Sequence, residues 1–99
     1  MTIKRSKIRE SARGQDCQVR IGHVCNFNPE TTVFAHRNGA GLALKASNLH
    51  GSYCCSSCHD VIDGRVPSGY TPVQIELMFF EGIMRTQLLL IEQGLVILK

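Results

Sequence analysis

The chain has 99 residues, of which 43% are hydrophobic and 19% are charged, and its formal net charge is +3. This balance is typical of a globular protein and excludes a disordered chain or a coiled coil. A chain of this size buries only about 65% of its surface, so we expect one domain over residues 1–99 with one modest core.

The first twenty residues are strongly basic. They hold six of the eleven Lys and Arg residues: Lys4, Arg5, Lys7, Arg9, Arg13 and Arg20. We expect residues 1–7 to form a flexible basic arm and residues 6–14 to form a short helix that begins at Ser6 and ends at Gly14. Such clustered charge favours phosphate binding, although a solvated tail has the same composition. The candidate contacts are Arg5, Lys7, Arg9 and Arg13.

The middle of the chain predicts short elements joined by loops. Two β-branched stretches, Val19–Ile21 and Thr31–Phe34, predict strands on either side of a turn-rich connection at residues 26–30. Residues 37–51 are rich in glycine and alanine and predict an irregular loop. A turn followed by a short helix is expected within residues 53–63.

The last third of the chain predicts a helix of about 21 residues that begins at Pro72 and is stopped by Gly94. Its longest apolar face repeats every three or four residues and is the expected core face: Val73, Leu77, Phe80, Met84, Leu88 and Ile91. A second apolar face is left over and suggests a homo-oligomer interface: Ile75, Phe79, Ile83 and Leu90. Residues 95–98 predict a short closing strand.

Two sequence features bear on location. No run of 18 apolar residues is free of charge, so no membrane span is expected. The positively charged start is not followed by the apolar segment of an export signal, so we expect a cytoplasmic protein.

The five cysteines favour a metal site over disulfides, because their number is odd and no export signal is visible. Cys55-Ser-Ser-Cys58 has the knuckle spacing that lets two thiolates reach one tetrahedral zinc ion. Cys17 and Cys25 supply the other two ligands of a structural Cys₄ site. Cys54 is an alternative to Cys55, but adjacent side chains point apart, so we expect Cys54 to be a small packed residue.

The residues around the knuckle resemble the HNH, or ββα-metal, endonuclease motif: His36 ends an apolar strand, Asn48 follows, and His59 comes directly after Cys58. Four further segments match motifs of one protein family: Arg9-Glu10-Ser11-Ala12-Arg13-Gly14, Cys25-Asn26-x-Asn28-Pro29-Glu30-Thr31, Cys58-His59-Asp60-x-Ile62-Asp63 and Glu81-Gly82-x-Met84-Arg85-Thr86-Gln87. Together, over about residues 8–94, they resemble the small prophage-encoded YbcO family of nucleases, a relative of the phage recombination enhancement nuclease Ref. The resemblance implies an α+β fold, in which a zinc-stapled ββα-metal core lies between an N-terminal basic helix and a long C-terminal helix.

The resemblance also implies an activity, namely metal-dependent hydrolysis of DNA phosphodiester bonds. His36 would be the general base, a role that suits a neutral imidazole near pH 7. Asn48 would orient His36, and His50 is the alternative at the spacing that is commoner in this motif. His59 and Asp63 lie one helical turn apart and would share a catalytic Mg²⁺ or Mn²⁺.

One departure from the motif keeps other functions open. Ala35 stands where many HNH sequences carry a metal-ligating Asp or His, so the catalytic ion would have few protein ligands. This favours a competing hypothesis, a non-catalytic zinc-knuckle module that binds DNA or protein. The resemblance alone suggests a third, an accessory protein acting on a recombinase filament. The expected partners are therefore DNA and, second, such a filament.

Overall fold

The computed structural model describes residues 2–3, 5–37 and 49–97. Asn48, most of the predicted loop at residues 37–51 and Leu98 of the predicted closing strand lie outside the described residues. The elements in chain order are β1 (Thr2–Ile3), α1 (Arg5–Ser11), a 3₁₀ turn (Pro29–Thr31), β2 (Val33–His36), β3 (Gly51–Cys54), α2 (Ser56–Ile62), α3 (Pro72–Glu92) and β4 (Val96–Ile97). The predicted α+β class is confirmed.

A strand hairpin followed by a helix forms the centre of the molecule. β2 and β3 pair antiparallel, with Val33 opposite Cys54 and His36 opposite Gly51. β3 then passes through Cys55, the N-cap residue, directly into α2. His36 therefore lies at the end of the hairpin away from the start of α2.

Both ends of α3 are where the sequence predicts them, because each is set by local chemistry. At its start Gln74 N donates to Thr71 Oγ1 at 3.2 Å, and Thr71 N donates to Gln74 Oε1 at 2.9 Å, which is a capping box. At its end Gly94 follows the C-cap with φ of +73°, a conformation that glycine adopts without strain.

The predicted core face of α3 is wrong. The six residues from Val73 to Ile91 that form the longest apolar face are between 38% and 76% exposed. The face that the sequence leaves over carries the buried residues instead, with Phe79, Ile83 and Leu90 each at most 5% exposed.

Gly82 and Thr86 explain this reversal. A Cβ at Gly82 would lie 2.7 Å from Ser52 Oγ and 2.9 Å from Val19 Cγ2, so only glycine lets α3 approach β3 this closely. Thr86 Oγ1 accepts a hydrogen bond from Tyr53 N at 3.1 Å. These two residues interrupt the apolar pattern of the sequence, yet both lie directly against β3.

The predicted strand at Val19–Ile21 is also wrong. Arg20 has φ of +53°, which breaks an extended chain, while Val19 and Ile21 are buried beside the cysteines. Their β-branched side chains therefore reflect burial in a core cluster and not strand pairing. The second predicted stretch, Thr31–Phe34, overlaps β2.

Contacts of β1 and α1 join the N-terminal part of the chain to the rest of the molecule. β1 pairs antiparallel with β4, so that residues near the two ends of the chain lie side by side. Ile8 of α1 is fully buried in a second core cluster with Ala12, Tyr53, Leu90 and Val96. None of the described helices combines the length and apolarity needed to cross a bilayer.

Candidate metal centre and functional site

Four cysteine side chains converge on one point. The Sγ atoms of Cys17, Cys25, Cys55 and Cys58 all lie within 4.8 Å of one another, and those of Cys25 and Cys55 are 3.8 Å apart. Four thiolates bound tetrahedrally at about 2.3 Å from zinc are about 3.8 Å apart. The four predicted cysteines are therefore brought together with the spacing of a site for a metal ion such as zinc.

Backbone turns aim these sulfur atoms. Cys55 Sγ accepts a hydrogen bond from Cys58 N at 3.4 Å, which is the knuckle contact that also caps α2. Cys17 Sγ makes the same contact with the backbone N of Arg20, three residues on, at 3.5 Å. The left-handed conformation of Arg20 closes this turn. Cys17 thus has a turn of its own, which explains its wide spacing from Cys25.

Hydrogen bonding and burial shift the pKa values of the clustered cysteines in opposite directions. Hydrogen bonds from Cys54 and Cys58 lower the pKa of the Cys17 thiol far below its ordinary value. The hydrogen bond with Cys17 raises the pKa of Cys58, and burial raises that of Cys25 to about 11. These shifts favour the ionisation of one cysteine and oppose the ionisation of the others. Several thiolates therefore coexist only when a bound cation offsets their charge.

Cys54 is fully buried beside this cluster but is not one of its four members. Hydrogen bonds with Cys17 and Cys58 raise its pKa, so it stays a neutral thiol. The prediction of a small packed residue is confirmed. Its hydrogen bond to Cys17 is a further role that sequence reasoning missed.

The loop that carries Cys25 is tied to the start of α2 by polar side chains. Asn26 Nδ2 donates to Ser56 Oγ at 3.1 Å and to Ser57 Oγ at 3.2 Å. Thr31 Oγ1 donates to Asn26 Oδ1 at 3.3 Å and accepts from Ser56 N at 3.2 Å. The Asn-x-Asn-Pro-Glu-Thr segment therefore holds Cys25 against the knuckle, which gives this motif a structural role.

His36 is half-buried at the end of β2, and its ring stacks edge-on against Phe34 with 5.0 Å between the centroids. Ala35 points to the opposite face of the strand and is only 2% exposed in the core. A ligand at position 35 would therefore face apolar side chains. The alternative residue His50 is exposed, and its carbonyl accepts from Arg37 N at 2.6 Å.

Arg37 fastens the end of β2 to α3. Its guanidinium pairs with Glu76 and lies over the ring of Phe80, 4.6 Å from the centroid. These contacts hold the backbone next to His36 in place. The sequence offers no motif that singles out Arg37.

The predicted pair on α2 does meet, with His59 Nε2 3.3 Å from Asp63 Oδ2. Arg65 reaches the same Asp63 oxygen at 3.2 Å and Asp60 Oδ1 at 3.2 Å, an interaction that no sequence motif signals. Across the described parts of the chain, the cysteines are the cluster of three or more metal-ligating side chains. His36 does not join His59 and Asp63 in such a cluster.

Lys7 and Arg9 of α1 are exposed, and so is Arg13 in the turn that follows the helix. Arg9 and Arg13 line a groove of about 670 Å³ between α1 and β2, together with Glu10, Thr32, Val33 and Phe34. Arg5 begins the same helix. The predicted phosphate contacts therefore lie on α1 and the turn directly after it.

A family model described as "Putative nuclease YbcO" matches residues 6–95. The chain belongs to the YbcO family. A YbcO relative from Escherichia coli K12, "Putative nuclease YbcO", is 42% identical over 95 residues and covers 90% of this chain and 95% of its own. A YbcO relative from Enterobacteria phage 82 matches with the same identity and coverage.

The YbcO fold is also found in a solved structure. The chain matches the "Structure of a putative bacteriophage protein from Escherichia coli str. K-12 substr. MG1655" with a TM-score of 0.75 and 40% identity. The match covers 89% of this chain and 100% of that one. The predicted YbcO membership is confirmed, and the names of these relatives make a nuclease the expected class of activity.

Proposed function

We propose that this YbcO-family protein is a metal-dependent DNA endonuclease of the HNH type that hydrolyses phosphodiester bonds. The observation that carries the proposal is the order of the β2–β3–α2 unit. A strand ends at His36, a second strand returns, and the helix that follows the cysteine knuckle carries His59. This is the order in which an HNH site supplies its base and its metal ligand.

The cysteine cluster supports this unit as a structural zinc site. It joins Cys17 and Cys25 to both ends of the Cys55–Cys58 knuckle, so that the start of α2 is fixed relative to the first third of the chain. A site with four protein thiolates has no open position for substrate. Its role is therefore to position α2 and not to take part in the chemistry.

His36 acts as the general base that takes a proton from the attacking water, and Asn48 orients it. His59 and Asp63 would hold a Mg²⁺ or Mn²⁺, which polarises the scissile phosphate and stabilises the leaving oxygen. Two neighbouring ligand atoms on an octahedral ion lie about 3 Å apart. The 3.3 Å between His59 Nε2 and Asp63 Oδ2 suits such sharing.

Arg65 controls how strongly His59 and Asp63 bind a cation. Its guanidinium neutralises Asp63 in the DNA-free protein and so opposes the binding of a cation there. A DNA phosphate offers the guanidinium a competing partner, which would release the carboxylate for the ion. Ion binding is then strongest in the complex with DNA, as expected for a site with few protein ligands. Arg5, Lys7, Arg9 and Arg13 supply sequence-independent phosphate contacts.

The test is the nicking of supercoiled plasmid DNA in Mg²⁺ or Mn²⁺, comparing the wild-type protein with a His36→Ala variant. Loss of a general base lowers the rate by roughly 10²- to 10⁴-fold, while DNA affinity and zinc content stay unchanged. His23→Asn is the matched control, because His23 is an exposed histidine in a left-handed conformation that asparagine tolerates.

Two further variants separate the ion site from the base. His59→Ala and Asp63→Asn should require more metal, and excess metal should restore part of their rate. The non-catalytic zinc-knuckle hypothesis, which the buried Ala35 favours, expects DNA binding without nicking under any metal. A His36→Ala protein as active as the wild type would refute the proposed site.

A further inference from the structure

Six apolar side chains form an exposed stripe along α3, and we call them the α3 stripe: Val73, Leu77, Phe80, Met84, Leu88 and Ile91. At 1.5 Å per residue the stripe runs for about 27 Å. With roughly 100 Å² of accessible surface for each side chain, it exposes about 600 Å², the upper end for an apolar patch on a monomer. The opposite face of the helix carries the core contacts, whereas the stripe is exposed among the described residues, with the guanidinium of Arg37 over the ring of Phe80.

We propose that the α3 stripe is covered by the α3 stripe of a second copy of this chain, in an antiparallel pair with its two-fold axis near residue 82. The spacing of the stripe is almost the same from either end, so each apolar residue meets another. The opposed pairs are Val73 with Ile91, Leu77 with Leu88, and Phe80 with Met84. A surface that is complementary to itself is what a two-fold interface requires.

The charges beside the stripe favour the antiparallel arrangement. Glu81 and Arg85 lie on the same side of the stripe, and within one helix Arg85 Nη2 is 3.6 Å from Glu81 Oε2. A two-fold axis near residue 82 brings Glu81 of each copy within reach of Arg85 of the other. In a parallel pair the charged flanks of the two copies would lie on opposite sides of the interface, so these contacts between Glu81 and Arg85 would not form.

The shape of the stripe also fits this partner. An apolar depression of about 330 Å³ lies at the start of α3, lined by Pro72, Val73, Glu76, Leu77 and Phe80. In the antiparallel pair it receives Leu88 and Ile91 of the second copy. The two stripes together bury about 1,200 Å², which lies at the lower end of the range for specific interfaces.

The experiment measures the mass of the zinc-loaded full chain by sedimentation equilibrium over a series of concentrations. The wild-type protein should approach twice the chain mass. Leu77→Glu and Leu88→Lys should each give half that value, because each places an unpaired charge in the interface. The variant with both changes should dimerise again, since the carboxylate at position 77 then faces the ammonium at position 88 of the second copy.

Val66→Glu is the matched control, because Val66 is an exposed apolar residue outside α3 and its loss should leave the dimer intact. Zinc content and the thermal transition of each variant show that it is folded. A wild-type protein that stays monomeric at every concentration means that something else covers the stripe, and overturns the proposal. If both single variants are monomeric and the double variant is monomeric as well, the antiparallel pairing is refuted.

Discussion

Replacing Cys58 by serine should leave the chain unfolded. Cys58 is fully buried, and its sulfur is one of the four in the cluster. A structural zinc site contributes about 10–16 kcal/mol in apparent binding free energy, whereas a whole domain is stable by only about 5–15 kcal/mol. The loss of zinc is therefore as large as the whole free energy of unfolding of a typical domain, or larger.

The structure makes this loss more severe than the loss of a ligand alone. All four cysteines belong to, or pack against, the larger of the two core clusters, which also holds Val19, Ile21, Phe79 and Ile83. Without the metal, these buried cysteines take up protons to avoid the repulsion and desolvation of several thiolates, and the bonds to the ion that held the cluster together are lost. The same site thus joins the segment of Cys17 to both α2 and α3.

Cys54→Ser is the matched control, because Cys54 is equally buried but lies outside the four-sulfur cluster. It should keep one zinc per chain and lose only about 1–3 kcal/mol, the cost of an ill-matched buried hydroxyl. The measurements are zinc per chain by atomic emission and thermal unfolding by circular dichroism, with and without chelator. A Cys58→Ser protein, or a zinc-free wild-type protein, that keeps a cooperative transition would refute the structural role of zinc.

Three further predictions follow from single contacts. Thr86→Val removes the acceptor of the buried Tyr53 N–H and should lower the free energy of unfolding by about 1–3 kcal/mol in urea titrations; no change would mean that the hydrogen bond contributes nothing. Gly82→Ala should cost about 1–3 kcal/mol by the same assay, because the added methyl group meets Ser52 and Val19, and an unchanged midpoint would contradict the close packing. Removing four basic charges should flatten the plot of log K against log salt for DNA binding by about 2–4 units, whereas an unchanged slope would make the segment a solvated tail. The four changes are Arg5→Gln, Lys7→Gln, Arg9→Gln and Arg13→Gln.

The metal cluster could be predicted from the sequence because ligand chemistry limits the choices. A Cys-x-x-Cys knuckle needs two more thiolates to close a tetrahedral site, and Cys17 and Cys25 are the cysteines that remain if Cys54 is a packed residue. The proposed nuclease site could be predicted less fully. The pairing of Arg65 with Asp63 depends on the turn after α2, and the burial of Ala35 depends on which side of β2 faces the core.

The sequence by itself determined the features that rest on neighbouring residues. Pro72, the Thr71–Gln74 capping box and Gly94 set the ends of α3 through contacts within a few positions of the chain. The knuckle turn and the cap of α2 are local in the same way.

Only the tertiary structure decided which face of α3 is buried. Apolar periodicity shows that α3 has an apolar face that can be buried. When two such faces have similar composition, only their contacts with the rest of the chain distinguish them. Gly82 and Thr86 settle the choice. Gly82 lets β3 approach the helix closely, and Thr86 accepts a hydrogen bond from the buried backbone N–H of Tyr53 in β3. Both residues act through contacts with Ser52 and Tyr53, which lie 30 or more residues away along the chain. A pattern within one segment carries no information about such distant partners.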